Sequence, residues 1–302
     1  MLPDEIILLV CKYLHSAEIL YSFFNLNFRL NSTIADFCYH VNIKYVTYKQ
    51  FDFIMKQIIP QISLLIRSFV INGLWENISN TLYLTLFHSK LSFIFPQLYT
   101  LSLVNFSDMQ LNLFLKNITD LSQLVKLDIR NFRNEYGEVL LEQILATNNN
   151  RLKSILFDAD SSNFILPTTG NSDSIAYPNI EQLVVELMTT KTLVYLFTLV
   201  PNINRLHIDF HELSYTSKSI LVNISSLVHL TDFQLCPMNK CWSLDEIVHI
   251  LSKMPYLQRL SLNLRTKDEN LINGEYFTQL LSISIIEIHY LLNIISQEYI
   301  LK

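Results

Sequence analysis

Cysteine and histidine are the side chains in this sequence whose types could bind a transition metal. Cys236 and Cys241 could be imagined as zinc ligands with a distant histidine, but their spacing matches no common zinc-knuckle pattern. His207 and His211 are four residues apart, on a predicted strand and its exit rather than on a helix, so they need not share a face. The sequence therefore favours buried thiols and surface or core histidines, and it predicts no metal site.

Nucleotide-binding and nucleophilic chemistry lack the motifs they need. Only 4 glycines occur in 302 residues, and none of them are clustered, so neither a phosphate-binding loop nor a dinucleotide fingerprint can form. The sequence contains no Gly-x-Ser-x-Gly motif. We therefore predict a protein with no catalytic residues and no cofactor.

Composition narrows the classes of partner. Half of the residues are apolar and only 16% are charged, which predicts a compact fold rather than a disordered chain. The net charge of -5 gives no basic surface for nucleic acid or an anionic membrane. The uncharged run from Leu91 to Ser107 is interrupted by polar residues and Pro96, so it is too polar to span a bilayer. Without a signal-like start, the chain is predicted to be intracellular, either cytoplasmic or nuclear.

From about residue 60 onward, the sequence repeats a short cassette with apolar residues at positions one, four and six. The intervals between successive first positions are 32, 26, 28, 28, 23, 27, 27 and 23 residues, a period typical of stacked repeats. Alternation around positions four and six predicts a strand that buries those two side chains. The cassettes are Ile66, Phe69, Ile71; Leu98, Leu101, Leu103; Leu124, Leu127, Ile129; Leu152, Ile155, Phe157; Ile180, Leu183, Val185; Ile203, Leu206, Ile208; Leu230, Phe233, Leu235; Leu257, Leu260, Leu262; and, more weakly, Leu280, Ile283, Ile285.

Between cassettes the sequence becomes helical. Capping boxes at Ser107–Gln110 and Ser243–Glu246 precede apolar residues at helical spacing. The unit of strand, turn, helix and return resembles a leucine-rich repeat, which implies an α/β solenoid with parallel strands on its concave side and helices on its convex side. Position nine holds residues other than the usual Asn or Cys, so we expect an irregular array without an Asn ladder. These residues are Phe106, Phe132, Asp160, Met188, His211, Met238 and Arg265.

Outward strand positions provide the candidate binding face. Both charge signs are mixed there, which suits a polar protein partner better than a polyanion, although exposed strand positions are also polar simply for solubility. The candidates for binding a substrate protein are Lys126, Asp128, Arg130, Glu186, Arg205, His207, Asp209 and Arg259.

The first 34 residues predict two short amphipathic helices. Pro3 suits the start of a helix, and the acidic pair Asp4 and Glu5 suits the positive end of its dipole. Ile6, Val10 and Leu14, joined by Ile7, form one apolar stripe. Ser16 and Glu18 then mark the start of a second apolar helix, which is expected to run into Leu30 and Asn31.

The sequence Leu2-Pro3-Asp4-Glu5-Ile6, with Val10, Tyr13-Leu14 and Glu18-Ile19-Leu20, resembles an F-box. The resemblance covers residues 1–45 and implies docking onto a Skp1-type protein. By position, the implied contact residues are Leu2, Pro3, Ile6, Val10, Leu14, Ile19 and Leu20. An alternative is that these helices only cap one end of the solenoid.

Together these features predict two domains, an F-box-like helical module at 1–45 and a leucine-rich-repeat solenoid of about eight to nine repeats at 46–302. The predicted function is a non-catalytic substrate adaptor of a Skp1–cullin–F-box type ubiquitin ligase. Its partners would be a Skp1-like protein and an unidentified protein substrate. The alternative is a repeat scaffold for protein interactions without a ligase link.

Overall fold

The computed structural model describes residues 3–75, 91–132, 140–158, 160–161, 176–187, 189–210, 225–237, 241–273 and 285–294. The chain forms two compact units, Met1–Phe132 with Thr147–Leu152, and Arg133–Ala146 with Lys153–Lys302. Both units combine helices with parallel strands, so the fold class is α/β. The division does not coincide with the predicted boundary between residues 45 and 46, because the strand at His40–Asn42 pairs with the strand at Ser68–Asn72.

Unit 1 begins with three short helices, and its described residues contain four strands that pair in parallel in sequence order. Its single-turn helices lie at Ala35–Cys38, Ser63–Leu65, Gly73–Trp75 and Thr147–Asn150. A π-helical segment, Ile54–Ile58, joins α4 to α5. The principal elements are α1 Asp4–Cys11, α2 Ser16–Phe23, α3 Phe28–Thr33, β1 His40–Asn42, α4 Tyr48–Phe53, α5 Ile59–Ile62, β2 Ser68–Asn72, α6 Leu91–Ile94, β3 Thr100–Val104, α7 Asp108–Asn117 and β4 Lys126–Arg130.

Unit 2 continues the alternation of strand and helix. The six strands in the described part of this unit also pair in parallel in sequence order. The elements are α8 Leu140–Ala146, β5 Ser154–Phe157, β6 Gln182–Leu187, α9 Thr190–Leu199, β7 Arg205–Phe210, β8 Asp232–Pro237, α10 Leu244–Leu251, β9 Arg259–Thr266, α11 Glu269–Ile272 and β10 Glu287–Ile294.

Eight of the nine predicted cassettes are confirmed as strands. Each of their position-one, position-four and position-six side chains is at most 4% exposed. The strand register aligns equivalent positions, as in Leu183 beside Leu206 and Leu206 beside Phe233. Each cassette therefore buries the same three side chains, which is how the repeat builds its core.

The ninth cassette was wrongly placed. The last strand, β10, pairs Ile288 with Leu260 and Tyr290 with Leu262, so its position-one residue is Ile285. Leu280 and Ile283 lie outside the described residues. The sequence there is apolar at many spacings, and strand pairing, which the sequence does not display, selects the register.

An additional cassette precedes the first predicted one. Cys38, Val41 and Ile43 have the spacing of positions one, four and six, and all three side chains are buried. They flank or lie in β1, which pairs with β2. The repeat therefore begins inside the segment assigned to the helical module.

Asparagines form a ladder that the sequence analysis did not expect. Asn105 Nδ2 donates to Asn72 Oδ1 at 3.1 Å, and Asn131 Nδ2 donates to Asn105 Oδ1. Asn105 and Asn131 follow their strands with φ of 55° and 49°. Asparagine tolerates this left-handed conformation better than most residues. The predicted absence of a ladder was wrong in unit 1, because the amides lie at positions seven and eight rather than at position nine.

Both predicted capping boxes are confirmed. Ser107 N donates to Gln110 Oε1 at 2.7 Å, and Ser243 N donates to Glu246 Oε2 at 3.0 Å. Each serine hydroxyl accepts from the backbone N–H of its partner, which satisfies a donor at the start of α7 and of α10.

The N-terminal helices differ from the prediction in their boundaries. Pro3 does precede the first turn of α1, but His15 rather than Ser16 is the residue before α2. Ser16 Oγ instead accepts from Asn42 N at 2.9 Å, which links α2 to β1. The expected second helix is two helices, because Asn25 has a φ of 61° and Asn27 caps the start of α3.

Candidate functional site

The first candidate surface is one side of α1. This short helix buries Ile7 and Cys11 and has apolar residues on most of its circumference. The remaining apolar side chains therefore face solvent, with Ile6 42% and Val10 45% exposed. Three exposed residues of α1 at helical spacing, together with Tyr13 in the turn that follows it, form what we call the α1 outer face: Ile6, Leu9, Val10 and Tyr13.

The predicted Skp1-contact residues separate into two groups. Pro3, Ile6 and Val10 are exposed and Leu14 is half-buried, whereas Leu2 lies outside the described residues. Ile19 and Leu20 are fully buried. The structure places them in the core because α2 packs against β1 and α4, so they do not belong to the predicted contact surface.

An ion pair joins α1 to α3 beside this face. Arg29 Nε and Nη2 lie 2.7 and 2.6 Å from Asp4 Oδ1. Both side chains are substantially exposed, so the pair adds at most about 1 kcal/mol to the stability of the fold. The pair links α1 to α3 beside the outer face.

The second candidate surface is the polar face of the strands, defined by side chains at the outward positions. In unit 1, Asp128 is only 6% exposed. Its Oδ2 accepts from Ser102 Oγ at 3.1 Å and from Arg130 Nε at 2.9 Å. The Asp128 carboxylate therefore holds Arg130 in place, while Lys126 is half-buried on the same strand.

In unit 2, one carboxylate lies between two guanidinium groups. Arg205, Asp232 and Arg259 occupy equivalent positions on β7, β8 and β9. Arg259 Nη2 is 3.0 Å from Asp232 Oδ2, and Arg205 Nε is 3.8 Å from the same oxygen. Both arginines remain exposed and available to a partner's acidic groups.

A group of four ionisable side chains lies on β6, β7 and β8, and we call it the β6–β8 cluster. Its members are Glu186, His207, Asp209 and Cys236, of which Glu186, Asp209 and Cys236 are register neighbours. His207 Nε2 lies 3.3 Å from Asp209 Oδ1. The side-chain atoms of His207, Asp209 and Cys236 that could bind a metal all lie within 4.8 Å of one another. The group therefore brings nitrogen, oxygen and sulfur ligand atoms to one place.

The cluster perturbs the pKa values of two of its members. Burial first, and the charge of Asp209 second, raise the pKa of Glu186 to about 7. Burial acts to lower the pKa of His207, but its contacts with Asp209 and Cys236 raise that pKa to about 9. Such shifts are typical of functional sites and of structural ion-pair networks alike.

A pH experiment tests this arrangement. Because the pKa of Glu186 rises from 4.5 unfolded to about 7 folded, the folded state binds the extra proton between these values. The Glu186 contribution to stability is thus present below pH 4.5 and lost as pH rises to 7. We expect Glu186→Gln to reduce the fall in stability across this range, as measured by urea unfolding at several pH values. An unchanged pH slope in the variant would contradict the assignment.

The sequence analysis selected Glu186, His207 and Asp209 but missed their association with Cys236. It expected Cys236 to be a buried thiol, whereas the structure leaves this residue half-buried. The association of Asp209 with Cys236 is visible in the repeat period of the sequence, but not in the spacing of nearby residues. Residues 186, 209 and 236 all occupy position seven of successive cassettes, separated by the same 23 and 27 residues as the cassettes themselves.

Comparison with known proteins adds no further constraint. No protein-family model matches this chain, and no curated protein matches its sequence.

Among the residues that the structure describes, no helix is both long and apolar enough to cross a membrane.

Proposed function

We propose that this chain is a substrate-recognition adaptor of a Skp1–cullin–F-box type ubiquitin ligase. In this proposal the α1 outer face binds a Skp1-type protein and the polar face of the strands binds a protein substrate. The observation that carries the proposal is the exposure of Ile6, Leu9 and Val10 on one side of α1, with Tyr13 exposed just after the helix ends, in a sequence that also resembles the start of an F-box.

The finer fold assignment is part of the proposal. The N-terminal helices would be an F-box-like module, and the cassettes an irregular leucine-rich-repeat array. The parallel register of equivalent positions and the burial of positions one, four and six support this assignment.

Exposed apolar side chains on a helix gain free energy when a partner covers them. An amphipathic helix commonly binds by placing such residues in an apolar groove of its partner. Pro3, Ile6 and Val10 are the predicted contact residues that remain exposed, with Leu14 at the margin. Because Ile6 and Val10 are 42% and 45% exposed, covering each one fully would gain only about 0.6–1.3 kcal/mol, so docking requires that several of these side chains are covered together.

The substrate surface would use mixed charges. In unit 2, Arg205 and Arg259 flank Asp232. This mixture of charges suits a protein with both acidic and basic groups. In unit 1, Arg130 and Lys126 on β4 are separate candidates. The adaptor would perform no chemistry itself, since holding a substrate beside the ubiquitin-transferring subunits raises its effective concentration there.

The test is co-purification of the full-length chain with a purified Skp1-type protein. We expect the double substitution Ile6→Asp with Val10→Asp to reduce binding by at least about tenfold, because it places two charges in an apolar interface. Both positions are exposed, so the fold should be retained, which thermal melting checks.

A matched control introduces the same change on another helix. Leu113 on α7 is 51% exposed, and Leu113→Asp should leave binding unchanged. If the wild-type chain does not bind, or if Leu113→Asp weakens binding as much as the α1 variant does, the adaptor proposal fails. A repeat scaffold without a ligase link would then be the better description.

A further inference from the structure

We propose that His207, Asp209 and Cys236 form a binding site for a divalent transition metal of the zinc class, with Glu186 as the adjacent carboxylate. The site does not depend on Skp1 docking, since it lies on β6–β8 and involves no residue of α1. It also departs from the expectation, based on sequence spacing, that the chain has no metal site.

The positions of the ligand atoms carry this inference. A tetrahedral zinc ion with bonds of about 2.0–2.3 Å holds its ligand atoms about 3.3–3.8 Å apart. His207 Nε2 and Asp209 Oδ1 are 3.3 Å apart, close to this separation. The Cys236 sulfur lies within 4.8 Å of both ligand groups, so a side-chain adjustment of about 1 Å completes a three-ligand site.

The hydrogen bonding of the cluster supports metal binding. His207 Nε2 is inaccessible to solvent and makes no well-aligned hydrogen bond despite its short distance to Asp209. A metal ion binds the neutral imidazole, so it would displace the ring proton at this nitrogen to solvent and give the buried atom a partner. Gln234 Nε2 contacts the Cys236 sulfur at 3.3 Å, as an outer-shell group that orients a thiolate ligand would.

The types of ligand atom select the class of metal. Imidazole and thiolate favour zinc and its neighbours in the first transition series, whereas Mg²⁺ and Ca²⁺ prefer sites made only of oxygen. The backbone also favours a defined site, because the three ligands project from two paired strands rather than from loops. Residues from adjacent cassettes would thereby be joined by one ion.

The experiment measures zinc binding to the full-length chain after removal of metal with a chelator. Zn²⁺ is titrated in competition with a chromophoric indicator, and Co²⁺ serves as a spectroscopic probe of tetrahedral geometry and thiolate ligation. We expect the wild-type chain to bind one Zn²⁺, to show the cobalt–thiolate charge-transfer band, and to melt at a higher temperature with zinc.

Two pairs of variants identify the ligands. Cys236→Ser and His207→Gln should each weaken zinc binding at least about tenfold, and Cys236→Ser should abolish the charge-transfer band. Cys241→Ser and His229→Gln change the same residue types outside the cluster and should bind zinc like the wild type.

The same measurements can overturn the site. Equal zinc uptake by the wild type and Cys236→Ser would exclude the cluster, as would loss of binding only in Cys241→Ser. If the wild-type chain shows neither a cobalt–thiolate band nor a zinc-dependent melting shift, the cluster is an ion-pair network only. Because the wild-type spectrum and melting shift require no substitution, a variant that fails to fold does not remove the test.

Discussion

Replacing Asn148 with alanine is expected to destabilise unit 1 by about 3 kcal/mol. Asn148 is fully buried, and its Nδ2 donates to the backbone oxygens of Leu121 and Leu124, both at 2.9 Å. Alanine leaves these two buried carbonyls without that donor, at about 1 kcal/mol each. Alanine also tolerates the left-handed φ of 57° at this position less well than asparagine, because it has no polar side chain, and this costs about another 1 kcal/mol.

Glycine at the same position separates these two causes. Asn148→Gly loses the same hydrogen bonds but accepts the left-handed conformation without strain. We therefore expect it to destabilise less than alanine, by about 2 kcal/mol, in urea unfolding monitored by circular dichroism. Equal losses in the two variants would show that strain contributes nothing, and a fully stable alanine variant would refute the role of the amide.

The second large effect is expected at Gly73, which follows β2. A Cβ atom built there would lie 2.6 Å from the Asn105 carbonyl oxygen and 2.9 Å from the Phe106 Cα. These are backbone atoms, so they cannot move aside as a flexible side chain would. Gly73→Ala should therefore destabilise the chain by about 2–3 kcal/mol, measured by the same urea unfolding.

Whether Gly73→Ala loses or gains stability shows whether backbone crowding is present at this position. The φ of Gly73 is not positive, so without crowding alanine would stabilise the chain slightly by reducing the entropy of the unfolded state. The neighbouring Leu74 is exposed, and Leu74→Ala should change stability by less than about 0.5 kcal/mol. A gain of stability in Gly73→Ala would show that the close approach of Asn105 is not maintained.

The sequence predicted the strands well because their signal is local and repeated. Positions one, four and six are apolar in each cassette, and burial of one strand face requires only that pattern. The capping boxes were predictable for the same reason, since Ser107 and Gln110 are three residues apart and interact directly. These features depend on neighbours in the chain rather than on distant elements.

Features that depend on register were missed. The sequence shows asparagines after β3 and β4, but only strand pairing brings Asn105 to Asn72 and to Asn131. Likewise, no local spacing connects Asp209 with Cys236, which are paired across β7 and β8. The repeat period contained this information, because it identifies which residues occupy equivalent positions.

The buried face of each N-terminal helix was also not predictable from periodicity. Helix α1 is apolar on most sides, so its pattern did not show that Ile7 and Cys11 would face inward while Ile6 and Val10 remained exposed. Ile19 and Leu20 match the F-box pattern equally well, yet the packing of α2 against β1 and α4 buries both. The choice of face follows from the elements available to cover it.

Amide hydrogen exchange of the full-length chain, with and without a purified Skp1-type protein, tests the central claim most directly. The adaptor proposal predicts saturable binding that slows exchange across residues 4–13, including the α1 outer face, and leaves α7 unchanged. Absence of binding, or protection that appears on α7 or the strands but not on α1, would contradict it.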